Sequence, residues 1–232
     1  MKSTKENSCD INAKSSCCSN EDDSPRKDLK VHWDRAYEKT TVDKLGWYED
    51  FPEPSLQLIE KCYFNSNARL LNVGVGATTL IDELLKKGNK NIIAIDISDK
   101  AIDELKTRLK EQSNKVEWII DDLMNPNELN KLEPVDLWHD RAVLHFFNDQ
   151  KEQDKYFSLL KKLVKQNGFV IIAVFNLNGA EKCSGLPVFR YNEKMLSEKL
   201  GFDFSLKESF DFIYTMPSGD KREYLYALFQ RN

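Results

Sequence analysis

No stretch of this 232-residue chain approaches the roughly 20 consecutive apolar residues that a membrane-spanning helix requires. The N-terminus has neither the apolar core of a secretory signal nor the Arg-rich amphipathic pattern of a transit peptide. Basic charge is not in excess: the formal net charge is −4. That argues against a nucleic-acid partner, since proteins that grip phosphate backbones usually carry a basic face. The cysteines are Cys9, Cys17, Cys18, Cys62 and Cys183. Their odd number and irregular spacing predict no disulfide framework. No metal-ligand set is assigned. These absences predict a cytoplasmic protein with reduced thiols, with neither membrane nor nucleic acid as partner.

The apolar content is that of an ordinary globular chain, and the length suits one α/β domain. Residues 1–27 are polar, rich in Ser, Asn, Lys, Asp and Glu. Such a segment buries too little surface to offset its ordering entropy, so it is predicted to be a disordered tail. Residues 28–232 are then the folded domain, opening with a short amphipathic helix over 32–37. Pro54 can sit in the first turn of a helix running to Cys62.

From Arg69 onward strands and helices alternate. Arg69–Val73, Asn91–Ile95, Val116–Ile120, Val135–His139 and Phe169–Phe175 are predicted strands. Helices are predicted over Thr78–Lys87, from the N-cap Ser98 to Leu109, over Gln150–Lys165 (closed by Asn167-Gly168), and over Asn192–Leu200. Alternation of this kind implies a parallel sheet with right-handed crossovers. The end of the chain differs: Phe202–Tyr214 and Glu223–Phe229 flank Met216-Pro217-Ser218-Gly219-Asp220, turn chemistry that favours an antiparallel hairpin. The expected fold is a Rossmann-like, doubly wound, seven-stranded α/β sheet with a C-terminal antiparallel hairpin.

Asn72-Val73-Gly74-Val75-Gly76-Ala77-Thr78-Thr79 links the first strand to its helix. Glycines here either let the backbone approach a ligand closely or merely make a tight turn. Two acidic positions favour a ligand. Asp96 ends the second strand about 20 residues past Gly76, where a carboxylate can accept hydrogen bonds from a ribose diol. Asp122-Leu123 follows the third strand, where a carboxylate can meet an adenine amine. A dinucleotide fits less well, because the third glycine of G-x-G-x-x-G is Thr79.

From about Val31 to Arg231 the chain resembles bacterial class I S-adenosylmethionine methyltransferases. The resemblance rests on that turn, on His32-Trp33-Asp34-Arg35-Ala36-Tyr37 with Gly46-Trp47-Tyr48, on the block Asp136–Phe146, and on Cys183–Tyr191. A W-D-x-x-Y element also occurs in eukaryotic protein-lysine methyltransferases, among them the citrate synthase enzyme. The resemblance implies S-adenosylmethionine as cofactor. It places Gly74 and Gly76, with Val75 and Thr78 in the same turn, beside the methionine and ribose. It gives Asp96 to the ribose, Ile97, Asp122 and Leu123 to the adenine, and Trp33 with Trp47 or Tyr48 to a lid. Trp33 and Tyr37 can also hold a sulfonium by cation–π contact, or simply form the apolar face of the lid helix.

The acceptor side is less legible. His139, Asp140 and His145 surround the end of the fourth strand, where one of them either takes a proton from the acceptor or serves only the fold. Cys183, on the loop after the fifth strand, either meets a soft acceptor or is an ordinary turn residue. Arg190 and Tyr191 either recognise an anionic group or open the next helix. A small-molecule acceptor is favoured, a thiol, selenol or metalloid included. A protein lysine is the alternative, and a non-catalytic cofactor-binding scaffold is a third reading. No N-P-P-[YF] motif follows the fourth strand, which disfavours Asn, Gln or adenine amination.

Overall fold

The computed structural model describes residues 25–232, with side chains from Leu29 onward. The segment holding Cys9, Cys17 and Cys18 therefore lies outside the described residues. The first helix, α1 (Pro25–Lys39), begins earlier than expected and takes in the last three residues of the polar segment. A proline suits a helix's first position, because its fixed φ is helical and its missing N–H has no partner there in any case.

The main sheet contains β1 (Arg69–Val73), β2 (Asn91–Asp96), β3 (Val116–Ile120), β4 (Val135–Arg141), β5 (Val164–Phe175), β8 (Phe204–Thr215) and β9 (Lys221–Arg231). Its order is β3-β2-β1-β4-β5-β9-β8. The first five strands are parallel, while β9 is antiparallel to both β5 and β8. Strand order reverses between β1 and β4, so a crevice opens beyond their C-terminal ends.

Continuous apolar strands such as Phe169–Phe175 arise because both sheet faces are covered. Alternate side chains of β5 go to opposite faces. Val170, Ile172 and Val174 meet Tyr156, Leu160 and Leu163 of α5 (Gln150–Leu163) and Leu196 of α6 (Glu193–Leu200). Ile171, Ala173 and Phe175 instead share a core with Leu58 of α2 (Glu53–Glu60), Ile81 of α3 (Leu80–Lys86) and Ile102 of α4 (Asp99–Leu109). The period of two along a strand makes both cores from one sequence.

Three differences from the sequence reading bear on the site. β4 runs two residues past His139, so Asp140 and Arg141 belong to the strand and point to opposite faces. Asn167-Gly168 does not close α5: the helix stops at Leu163, and the pair lies within β5, where the register with β4 shifts. The loop after β5 carries an unexpected small hairpin, β6 (Lys182–Cys183) and β7 (Leu186–Pro187). Its two-residue turn has both central residues in the left-handed region, Ser184 at φ 51° and Gly185 at φ 80°, the geometry that matches hairpin twist. Among the described residues no helix is long and apolar enough to cross a membrane.

Candidate active site

The turn after β1 is shaped by its two glycines, at φ 57° for Gly74 and 52° for Gly76. Both are in the left-handed region that glycine adopts without Cβ strain. A Cβ on Gly74 would stand 2.1 Å from Cγ2 of Val143, and one on Gly76 would stand 2.8 Å from the Tyr37 hydroxyl. The backbone must stay bare here. Val75 anchors the turn to β2 by donating its N–H to the Ile95 carbonyl at 2.8 Å. Thr78 accepts the Leu80 N–H at the start of α3.

Asp96, at the end of β2, accepts the Gly76 N–H at 2.8 Å on Oδ2 and the Ser98 N–H at 2.9 Å on Oδ1. Burial pushes its carboxyl up to about 6, although those backbone donors pull the other way. After β3, Asp121 accepts backbone N–H groups of Asp122, Asn127 and Leu129, and so clamps the loop. Asp122 accepts the Met124 N–H at 2.9 Å.

The W-D-x-x-Y element explains the roof. Asp34 accepts the Ser98 hydroxyl at 2.7 Å, and Lys30 bridges Asp34 and Asp99, tying α1 to the start of α4. Trp33 then lies edge-on to Trp47 and Phe146, with ring centres 5.5 and 5.1 Å away. Tyr37 accepts the Trp47 indole N–H at 3.2 Å.

Under this roof one pocket is lined by Trp33, Tyr37, Trp47, Gly74, Asp96, Ile97, Asp122 and Leu123 on one side of β1 and above it. On the β4 side it is lined by Arg141, Ala142, Val143, Phe146 and Cys183. Of the remaining turn residues, Gly76 abuts Tyr37 and Trp47, and Val75 is buried in the core with Leu80 and Ile81. Cys183 reaches the pocket because the β6–β7 hairpin folds over the crevice, and burial pushes its thiol up.

Three residues expected at the acceptor wall stand elsewhere. His139 faces the opposite interior, with Nδ1 3.0 Å from Asn72 Oδ1 and Nε2 2.9 Å from Ser55 Oγ. Asp140 is fully buried and accepts the Tyr156 hydroxyl at 2.6 Å and the N–H groups of Val143 and Leu144. It caps the turn that follows β4. His145 is fully buried against Phe146 and Phe175. Burial pushes both histidines down to about 3, so both are neutral, and pushes Asp140 up to about 7. The pleat of the extended β4 sends His139 and Asp140 to opposite faces of the sheet, and the turn Leu144–Phe146 that follows buries His145. Arg190 bonds the Gly179 carbonyl and pairs with Glu181 away from the pocket, while Tyr191 is buried.

Arg141, a candidate ion-pair partner for Asp140 on sequence grounds, takes another partner. It forms an ion pair with Glu49 at 3.0 Å, and both side chains are largely buried. Its Nε also donates to the Tyr226 hydroxyl at 3.1 Å and its Nη1 to the Trp47 carbonyl at 3.0 Å. The signal available for it was position alone, next to Asp140 at the end of an apolar strand.

Residues 70–168 match a methyltransferase domain family. Over 183 residues the chain is 27% identical to EEF1A lysine methyltransferase 2 of Danio rerio, covering 72% of this chain and 76% of that protein. Its fold is similar to an S-adenosylmethionine-dependent methyltransferase from Anabaena variabilis (TM-score 0.70, 11% identity, 89% and 94% of the two chains). It is also similar to the N-methyltransferase NodS of Bradyrhizobium japonicum in complex with S-adenosyl-L-homocysteine (TM-score 0.62, 18% identity, 86% and 98%). The bare glycine turn, the carboxylate at the end of β2 and the aromatic roof fit that cofactor, and residues 70–168, which match the methyltransferase domain family, sit within a chain that has the fold of S-adenosylmethionine-dependent methyltransferases.

Proposed function

We propose that this enzyme methylates a small acceptor enclosed beneath α1, within a single domain over residues 28–232 of which α1 is the lid. The cofactor, when bound, supplies an activated methyl on a sulfonium. Asp96 accepts hydrogen bonds from its ribose, Asp122 meets the adenine edge, and Ile97 and Leu123 pack on the ring. Gly74 and Gly76, set by Val75 and Thr78, let the backbone approach. Trp33, Tyr37 and Trp47 present ring faces and edges to the cationic end, where cation–π contact contributes on the order of 1–2 kcal/mol when desolvated.

The observation that carries the acceptor reading is the composition of the pocket on the β4 side. Among the described residues Arg141, Ala142, Val143, Phe146 and Cys183 line it, while the carboxylates that line the pocket, Asp96, Asp121 and Asp122, stand at the ends of β2 and β3. Such a wall offers no general base and no partner for an ammonium. Its residues orient the acceptor and exclude water, and catalysis then rests on alignment of nucleophile, methyl and sulfur. An acceptor that is already nucleophilic near neutral pH, such as a thiol, selenol or metalloid, fits this best. In this reading Cys183 is a soft contact for the acceptor, and His139, Asp140 and His145 are positioning residues of the fold.

Protein-lysine methylation is the second reading, favoured by the similarity to EEF1A lysine methyltransferase 2 of Danio rerio. One experiment separates the two. The purified chain with labelled donor is offered thiols, metalloids, amines and a cell lysate, and label is counted separately in small molecules and in proteins. Label in protein lysines alone overturns the small-acceptor reading.

A further inference from the structure

We propose that Arg141 anchors an anionic group of the methyl acceptor through its Nη2. This rests on the reading of an enclosed small acceptor and specifies its chemistry. A guanidinium carries five N–H donors in a fixed fork. Here Nε is taken by Glu49 and Tyr226 and Nη1 by the Trp47 carbonyl. Nη2 is buried and has no hydrogen-bond partner among the described residues. A buried donor left without a partner loses its hydration with nothing in return, and the loss is greater when it is charged. Seven buried side-chain polar atoms lack a partner among the described residues, and Arg141 Nη2 is the one whose residue lines the pocket, where a ligand can reach it.

The surroundings hold the guanidinium rigid rather than letting it seek another partner. The rings of Tyr214 and Tyr224 stand 5.0 and 5.1 Å from its carbon. Tyr214 is itself pinned through its hydroxyl to the Tyr48 carbonyl. Arg141 lines the same pocket as Gly74 and Cys183, which places a fixed, charged donor at the wall where the acceptor sits. A carboxylate, or a planar oxyanion of like shape, is the group that a guanidinium edge receives best. The same charge disfavours an ammonium.

The test uses the full chain and simple probes. Carboxylates from acetate to benzoate, and their uncharged amides, are titrated into the free protein and into its S-adenosylhomocysteine complex. At least one carboxylate is expected to bind about tenfold more tightly than its amide. That preference should vanish in Arg141→Gln. Because Arg141→Gln strands Glu49, the double variant Arg141→Gln/Glu49→Gln is measured beside it, with its thermal midpoint as a folding check. Absence of any charge preference, or its survival in both variants, overturns the proposal. So does a tenfold loss of S-adenosylhomocysteine affinity with the carboxylate preference intact, which would give the guanidinium to the donor's own carboxylate. Failure of S-adenosylhomocysteine to bind the wild type would instead count against the cofactor site, while the titration of free protein still judges Arg141.

Discussion

Asp96 Oδ2 accepts the backbone N–H of Gly76 at 2.8 Å, so the carboxylate at the end of β2 holds the glycine turn that follows β1. The contact spans two adjacent parallel strands and makes floor and rim of the pocket one unit.

Donor binding is therefore expected to depend on pH. Burial raises Asp96 to about 6 in the free protein. A diol donating to the carboxylate favours its ionised form, so binding releases a proton and affinity falls as pH drops through about 6. For folding, the raised value contributes stability below the unfolded value near 4, and that contribution is lost as pH rises through about 6. Calorimetry with S-adenosylhomocysteine from about pH 7.5 to about pH 5 checks the binding claim, and flat affinity would sink it. At neutral pH, Asp96→Ala should weaken binding by about 1.5–3 kcal/mol.

Gly74→Ala should destabilise the fold by about 1–3 kcal/mol, from left-handed strain plus the clash with Val143. Val143→Ala in the same chain should relieve the clash and leave the strain. If the double variant is no more stable than the single one in urea unfolding, the close approach of these two residues is not what restricts position 74.

Asp140→Asn and His139→Ala test whether either residue is a general base. Both are bonded inside the fold, Asp140 to Tyr156 and His139 to Asn72 and Ser55. Each substitution should cost about 1–3 kcal/mol of stability. Turnover per folded molecule should stay within a few-fold of wild type. A loss of about 100-fold at unchanged donor affinity would restore the catalytic assignment.

His145 offers an acid-stability test of opposite sign to Asp96. Its buried ring is pushed down to about 3, so stability is lost as pH falls below about 6.5 and the unfolded chain takes up the proton. His145→Leu should remove that loss. Its urea midpoint relative to wild type should be higher at about pH 5 than at about pH 7.5, and an equal difference at both would contradict the buried neutral imidazole.

Removing residues 1–24, which precede α1, should leave the thermal midpoint unchanged, because their composition offers almost no apolar surface to dock. A drop of many degrees would show that the segment packs on the domain.

The local signals in the chain were enough for the architecture. Apolar runs of strand length, the N-cap at Ser98, and the turn chemistry at Met216–Asp220 each act within a few residues, so they can be read without knowing what packs against them. The glycines at 74 and 76 and the acid at 96 were legible for the same reason: their spacing follows from a strand, a turn and a crossover of ordinary length. Side-chain direction at the end of β4 was not. Whether Asp140 or Arg141 reaches the pocket depends on how far the strand continues, which the pairing with β1 and β5 decides. Nor could the sequence bring Glu49, Trp47 and Tyr226 to Arg141, since three separate segments meet there only when the sheet and the lid close. Propensity and periodicity act between near neighbours, whereas a buried charge takes its partners from whatever the tertiary packing places around it.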